Sequence, residues 1–326
     1  MTPRPLGQSG LSIPPLMLGT NVMGWTADEA TSFAVLDAFV AEGFTAIDTA
    51  DVYSRWVPGN DSESERIIGR WMQARGNRAR VIIATKVGSD MGQGRRDLRA
   101  AWIVKAVEGS LSRLQTDVID LYYLHWPRTG QDMRPWMEGL EIARQQGKIR
   151  AIGVSNFSVA QMQQLAEVGQ LDAYQLGYNL LWRFGEQEIL PYCAANNIAV
   201  IAYSALAHGI LSGKYARALE FVASDQRWSI SLFRDDVWPQ VHDAVETFKQ
   251  VSAREQVPLS HLALRWLLHQ PAITSVLVSA KNKQQVLENR EALNLEIADS
   301  VLDELTNLSD AIQTIPDEGN PFGYHP

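Results

Sequence analysis

This sequence predicts a single-domain α/β fold, a closed (β/α)8 barrel, on three observations. Apolar, β-branched runs of strand length alternate with helix-like segments along the chain, each run is continuously apolar, and there are eight of them. Strands buried on both faces read as unbroken apolar runs, which implies a parallel sheet with helices on both sides. Eight strand–helix pairs close into a barrel, with the open doubly wound sheet as the rival arrangement.

In chain order the runs are "LMLGT" (16–20), "FTAID" (44–48), "RVIIATK" (80–86), "VIDLYYLH" (118–125), "RAIGVS" (150–155), "DAYQL" (172–176), "IAVIAYS" (198–204) and "ITSVLVS" (273–279). The first helix-like segment, "ADEATSFAVLDAFVAEG" (27–43), has an N-cap candidate in Thr26 and a stop in Gly43. Residues 1–14 fit a short hairpin at the bottom of the barrel. Two stretches break the repeat, the aromatic segment 209–240 and the tail 315–326, which carries Pro, Gly and aromatics without a period, and about 126–135 is expected to be a further substrate or cofactor loop. Such stretches are expected to be functional loops on the C-terminal face.

With 326 residues, 46% of them hydrophobic, the chain has material for a large core, and residues 1–326 are expected to form one domain. There are 29 Lys and Arg against 37 Asp and Glu and no long basic cluster, so nucleic acid is not an expected partner. The lone Cys193 excludes an internal disulfide framework and a multi-Cys metal site, and it suits a reducing compartment, the cytoplasm. The opening "MTPRPLGQSGLSIPP" has no apolar signal core, and no run approaches the roughly 18 apolar residues of a spanning helix, so no membrane partner is expected. The six His form no recognisable metal-ligand set, and no pattern specifies an oligomeric state.

Polar residues recur in register with the strands. Asp48, Lys86 and His125 each end or closely follow an apolar run, 38 and then 39 residues apart, about one strand–helix unit each time. In a barrel the C-terminal ends of the strands share one mouth, so these three, with Tyr53 just beyond Asp48, are expected to converge there. Singly, each also has a bland explanation: Asp48 as a loop cap, Lys86 as a solvated strand end, His125 and Tyr53 as core residues. Together they are chemically complementary. A phenol, with a pKa near 10, donates a proton poorly at neutral pH unless its phenolate is stabilised. Lys86 beside Tyr53 would lower that pKa, Asp48 would hold the ammonium in place, and His125 would hydrogen-bond a carbonyl oxygen. Such a set suits carbonyl reduction if a hydride source lies opposite. Asp51 is expected to shape the turn that carries Tyr53.

The motifs "IDTADVY", "ATK" and "DLYYLHWP" resemble the catalytic tetrad segments of the aldo-keto reductase superfamily, and "GKIRAIGVSNF" (147–157), "YQLGYNLL" (174–181), "VIAYSALAHGILSGKY" (200–215) and "SVLVSAKNKQQVLENREAL" (275–293) follow in family order. The resemblance spans essentially the whole chain. It implies a TIM barrel that binds a nicotinamide dinucleotide in extended form without a Rossmann fingerprint. "GQGRRD" (92–97) fails that fingerprint and "GILSGK" is one spacer short of a P-loop. By the same resemblance, Ser155, Asn156 and Gln175 would bond the carboxamide and Tyr203 would stack on the nicotinamide ring. Ser204 is grouped with Tyr203 in the cofactor site. Leu206, Gly209, Ser212 and Lys214 would wrap the pyrophosphate. Ser279, Lys281, Gln285, Glu288 and Asn289 match the stretch that holds the adenosine 2′-phosphate and the adenine. Many relatives place an Arg where Gln285 stands, and Gln brings neither charge nor fork. Lys281 and Lys283 offer point charges instead, so NADP(H) is the first choice of cofactor, with NAD(H) or dual use open.

A second departure follows Tyr53: where many relatives continue with Gly, this chain has Ser54 and then "RWVPGNDSESER". Trp25, Trp56, Trp126 and Trp182 lie just past strand ends, and an aromatic-walled substrate pocket is the expectation, with barrel–helix packing as the alternative for each. The resemblance implies an NAD(P)(H)-dependent oxidoreductase (EC 1.1.1.-) interconverting a small-molecule carbonyl (aldehyde, ketone or sugar lactol) and an alcohol. The alternative is a cofactor-binding, redox-sensing regulatory subunit with little turnover; a metal-dependent hydrolase ranks last.

Overall fold

The computed structural model describes residues 2–91, 97, 99–128, 130–222 and 225–312. The tail 315–326, expected above to be a functional loop, and residues 92–96 of "GQGRRD" lie outside the described residues. Strands β1 (Arg4–Pro5) and β2 (Ser12–Ile13) pair antiparallel as the expected hairpin. The next eight strands are β3 (Leu16–Gly19), β4 (Ala46–Asp48), β5 (Ile82–Val87), β6 (Ile119–Leu124), β7 (Ile149–Ser155), β8 (Ala173–Gly177), β9 (Ala199–Tyr203) and β10 (Ile273–Ser279). They pair in parallel and in sequence order, and β10 closes on β3, so the sheet is a (β/α)8 TIM barrel. Around it lie α1 (Glu29–Ala41), α2 (Glu63–Arg75), α3 (Ala100–Leu114), α4 (Arg134–Gln145), α5 (Val159–Ala166), α6 (Ile189–Ala195), α7 (Trp238–Glu255), α8 (Leu259–His269), α9 (Lys283–Asn294) and α10 (Asp299–Asp310).

Each barrel strand coincides with one of the eight apolar runs, because a strand covered on both faces has no polar phase to obscure its limits. The helix boundaries differ in detail. Asp28, not Thr26, caps α1: its Oδ1 accepts from Thr31 N at 2.8 Å, and the helix begins at Glu29. Residues 22–27 are closed into a tight turn in which Thr26 N and Ala27 N both donate to Val22 O, which delays helix entry. Gly43, at φ 86°, ends the segment as expected. The irregular stretches are shorter than expected. Arg134 and Pro135 already belong to α4, and Trp238, with Pro239 behind it, opens α7. Proline is favoured in a first helical turn, where its missing N–H costs nothing.

Two cores result. The outer one joins strands to helices and contains the fully buried Trp71, Trp136 and Trp266. Each indole N–H is satisfied there at 2.8 Å, by Asp37 Oδ1, Asp97 O and Thr306 Oγ1 respectively. The inner one fills the bore with small and large side chains in layers: Ala46, Ala84, Ala151, Ala173 and Ala199 against Met17, Leu121, Tyr123 and Ile201. Leu6 and Ile13 of the hairpin enter the same cluster and plug the N-terminal end, where Arg4 Nη1 donates to Ile273 O at 2.6 Å.

Side chains on a strand alternate between faces, so the residue two positions past an inner-core residue faces the bore as well. Asp48 follows Ala46, Lys86 follows Ala84, Gln175 follows Ala173 and Tyr203 follows Ile201, one layer nearer the C-terminal mouth. The barrel's register therefore selects which polar residues meet.

Gly153 makes room for the large Tyr123 ring in this bore: a Cβ on it would lie 2.4 Å from Tyr123 Cδ1 and 3.1 Å from Ala173 O. Gly153→Ala should cost about 1–3 kcal/mol by overpacking, read as a lower urea midpoint at unchanged slope. An unchanged midpoint would mean that the bore can relax.

Candidate active site

The site begins with a buried ion pair. Asp48, last residue of β4, and Lys86, on β5, are both fully buried, and Lys86 Nζ is paired with Asp48 Oδ1. The ammonium has three protons and three partners: the second donates to Thr49 O at 2.8 Å and the third to the Tyr53 hydroxyl at 3.2 Å. Asp48 Oδ2 accepts from Gln175 Nε2 at 2.8 Å.

Tyr53 reaches this point by a turn fastened to the neighbouring strand, with Thr49 N donating to Ala84 O and Asp51 N to Lys86 O. Ser54, after the phenol, has a φ of 66°, which glycine adopts without strain; its hydroxyl donates to Met23 O at 2.6 Å and holds it there. Behind the strand ends, Ser64 Oγ lies 2.9 Å from both Thr20 Oγ1 and Thr49 Oγ1, and Thr20 Oγ1 donates to Asp48 O at 2.8 Å. Asp51 is buried but turned away from the pair, toward Glu65 and Arg113, which are joined at 2.5 Å. Burial first, and the Glu65 carboxylate second, push its carboxyl well above the usual carboxylate range.

The His125 ring meets the Tyr53 ring edge-on, centroids 5.9 Å apart, and stacks against Trp126 at 5.8 Å. Asp48, Tyr53, Lys86 and His125 thus meet at one mouth. Electrostatics refine one expectation. Lys86 does pull the Tyr53 phenol down, but burial is the larger influence and the net shift is upward. Burial also works against the Lys86 charge, yet Asp48 and then Tyr53 more than offset it and hold the ammonium above its ordinary value. The set is therefore a protonated phenol resting on a fixed cation. Such a phenol keeps its proton at neutral pH and has its phenolate stabilised when the proton leaves.

Next to it, the residues matched to the carboxamide and ring are mutually bonded. Asn156, at φ 66°, donates from Nδ2 to His125 O at 3.1 Å and Ser155 Oγ at 3.0 Å, and its Oδ1 accepts the Tyr203 hydroxyl at 2.7 Å. Ser155 Oγ donates to Gln175 O at 3.0 Å. Tyr203 is thereby oriented at the end of β9. Beyond it, Ser204, Ala207, His208 and Gly209 all have left-handed backbone, φ 56°, 46°, 55° and 88°, in the stretch with Leu206 and Ser212. Lys214 lies over this turn: a Cβ on Gly209 would sit 3.1 Å from its Nζ. A cation above an irregular backbone cradle fits a pyrophosphate.

At the end of β10, Ser279 O accepts from Asn289 Nδ2 at 3.4 Å, Asn282 caps α9, and Gln285 Oε1 accepts from Lys281 N at 2.7 Å. Gln285 thus fastens the loop, and Glu288 accepts from Gln284 Nε2 at 3.3 Å. Lys281 and Lys283 bring cations to the helix N-terminus, where anions are favoured.

Trp25 and Trp56, 43% and 44% exposed, meet edge-on at 5.6 Å, and Trp56 lies 6.4 Å from the Tyr53 ring. Trp182 is not brought to that wall: it is 3% exposed, lies edge-on to Tyr203 at 5.9 Å, and occupies the space a Gly177 side chain would take. The absence of a side chain at Gly177 lets the indole fold inward, so it backs Tyr203 instead of facing the mouth. Ser64 and Glu65 were not singled out in the sequence, because "DSESER" reads as an exposed helix start, and Thr49 was passed over because its contribution is a backbone carbonyl and a bond to Ser64.

His208 gives the turn a pH signature. Burial, then the nearby Arg227 charge, lower its pKa to about 4. Between that value and the unfolded value near 6.5 the unfolded chain binds a proton that the folded chain does not, so stability falls as pH drops through this window. In His208→Gln that contribution disappears, and urea midpoints at about pH 7 and pH 5 should differ less than in the wild type. Parallel curves would remove His208 from the account.

Comparisons with known proteins identify the family. The Aldo/keto reductase family model matches residues 15–310. The chain is 36% identical over 288 residues to the aldo-keto reductase YhdN of Bacillus subtilis (strain 168), covering 86% of this chain and 85% of that one. It is 30% identical over 330 residues to the NADH-specific methylglyoxal reductase of Escherichia coli (strain K12), covering 95% and 98%. Among solved structures, the glycerol dehydrogenase AKR11B4 from Gluconobacter oxydans superposes with a TM-score of 0.84 at 30% identity, covering 97% of this chain and 98% of the other. The chain belongs to the aldo/keto reductase family and is an NAD(P)H-dependent oxidoreductase.

Proposed function

We propose that this enzyme interconverts a small carbonyl compound and its alcohol with Tyr53 as the proton donor. The observation that carries this reading is the position of Lys86 Nζ between Asp48 and the Tyr53 hydroxyl at the barrel mouth. When bound, the nicotinamide supplies a hydride from its C4 to the carbonyl carbon. Tyr53 gives its proton to the oxygen, which becomes far more basic than a phenolate as the carbon is reduced. Lys86 stabilises the phenolate left behind, and Asp48 keeps the ammonium charged and fixed. His125, set against the phenol, hydrogen-bonds the carbonyl oxygen and orients it. In the alcohol-oxidising direction the same phenolate accepts the proton.

The residues fit the cofactor in three places. Asn156, Ser155 and Gln175 form an amide-recognition cluster beside Tyr203, whose ring offers a flat partner. Lys214 over the turn at Gly209 answers the pyrophosphate. Lys281 and Lys283 at the start of α9, with Ser279 and Gln285, answer the adenosine end. These lysines favour NADP(H), and the lack of an Arg at Gln285 leaves room for NAD(H). The named relative specific for NADH supports keeping both.

The substrate class is an aldehyde, ketone or sugar lactol, held by Trp25, Trp56 and Trp126; methylglyoxal and glycerol, named for a relative and a structural neighbour, suggest small oxygenated compounds for a first panel. No helix among the described residues is long and apolar enough to cross a membrane. The lone, buried Cys193 suits the cytoplasm.

Tyr53→Phe should lower kcat by about 100-fold or more while NADPH or NADH still binds, because only the transferable proton is removed. Retained turnover would exclude Tyr53 as donor. A carbonyl and alcohol panel with all four nicotinamide cofactors, followed at the reduced cofactor's absorbance, should show turnover for at least one pair. Trp56→Ala should change KM or the substrate ranking across that panel, and superimposable kinetics would take Trp56 out of the pocket.

A further inference from the structure

The bond from Gln175 to Asp48 crosses the barrel. In the closed strand order, β4 and β8 stand four strands apart, on opposite sides of the bore, and Gln175 Nε2 donates to Asp48 Oδ2 at 2.8 Å between them. Gln175 is 3% exposed, at the mouth end of the inner row that begins at Ala173. Because one end of an amide donates and the other accepts, assigning Nε2 to the carboxylate turns Oε1 the other way, as an acceptor. The backbone carbonyl of Gln175 is bonded by Ser155, next to the Asn156–Tyr203 pair.

We propose that Gln175 is a positioning residue joining the nicotinamide site to the proton-donating set: Nε2 holds Asp48 in its ionic pair with Lys86, and Oε1 accepts from the nicotinamide carboxamide. This rests on the nicotinamide reading above and adds a coupling to it. A bound carboxamide fixes the Gln175 amide, which strengthens its hold on Asp48; an aligned Asp48 in turn presents Oε1. Cofactor occupancy and the Asp48–Lys86–Tyr53 chain are then stabilised together. The ionisable groups facing this point are Lys86 from β5, Tyr53 from the turn after β4, Tyr123 on β6, and His125, while Asp51, turned toward Glu65 and Arg113, acts on Tyr53 only through its charge. The Tyr123 phenol is buried beside the Gln175 side chain: burial and then the Asp48 charge push it well up, and the Gln175 amide offsets part of that, so Tyr123 is a further polar neighbour of this connection.

Replacing the amide by an acid separates coupling from packing. In Gln175→Glu two carboxyls face one another, and a hydrogen bond between them needs a shared proton. Below the pH at which that proton binds, the introduced carboxyl can donate to Asp48 and accept from the cofactor; above it the two carboxylates repel. Binding of NADPH and of NADH, followed by protein tryptophan fluorescence from about pH 5.5 to about pH 9, and the pH profile of kcat/KM should therefore both acquire one new titration, each falling about tenfold or more as pH rises. Gln175→Leu should lose about tenfold in binding at every pH without that titration. If Gln175→Glu fails to fold, Gln175→Asn, too short to span the bore, should show the same loss as Gln175→Leu. Wild-type affinity in Gln175→Leu or Gln175→Asn would overturn the proposal. So would a binding titration in Gln175→Glu with no counterpart in kcat/KM. If the wild type itself binds neither NADPH nor NADH, the nicotinamide reading fails instead.

Discussion

Everything at the barrel mouth depends on a carboxylate and an ammonium kept charged where no water reaches them. Removing either ion from solvent costs several kcal/mol, and their attraction offsets that only if every remaining proton and lone pair is placed. Here the placement is complete for the ammonium, which donates to Asp48, Thr49 O and Tyr53. That requirement explains features that look unrelated. The turn after β4 is bonded to β5 so that Thr49 O points inward, and Ser64 braces Thr20 and Thr49 so that the strand ends cannot shift. The phenol is the one partner of the ammonium able to give up a proton to something outside.

The same constraint separates two carboxylates that stand close in sequence. Asp48 faces the bore and the cation. Asp51, three residues on, faces outward toward Glu65 and Arg113, where one guanidinium already serves a buried carboxylate. Chemistry follows from which way each side chain is turned: the strand's period of two aims Asp48 into the bore, and the turn fastened to β5 aims Asp51 away from it.

How much was legible in the sequence follows from the same geometry. The eight strands could be read because burial on both faces removes polar residues from them, and Asp48, Lys86 and His125 stood out as polar residues recurring in register at the ends of apolar runs. Other features depend on tertiary neighbours and leave no local trace. The inward fold of Trp182 depends on Gly177 having no side chain, and the α1 cap depends on a turn that closes on Val22. Ser64 and Glu65 sit in a charged stretch that would normally be solvated, and only α2 docking on β4 and β5 turns them inward. Likewise Gln175 could be matched to a role toward a ligand, but its bond to Asp48 spans 127 residues of sequence and needed the closed barrel.

The most direct test of the central claim is the charge on Lys86, observed by nitrogen-15 NMR of lysine side chains over a pH titration. The account predicts an ammonium signal with slowed proton exchange that persists to higher pH than the surface lysines, whose ordinary value is 10.5, and that titrates earlier in Asp48→Asn. A Lys86 amine already neutral at pH near 7 would contradict it, because Tyr53 would then rest on no cation and its phenolate would have nothing to stabilise it.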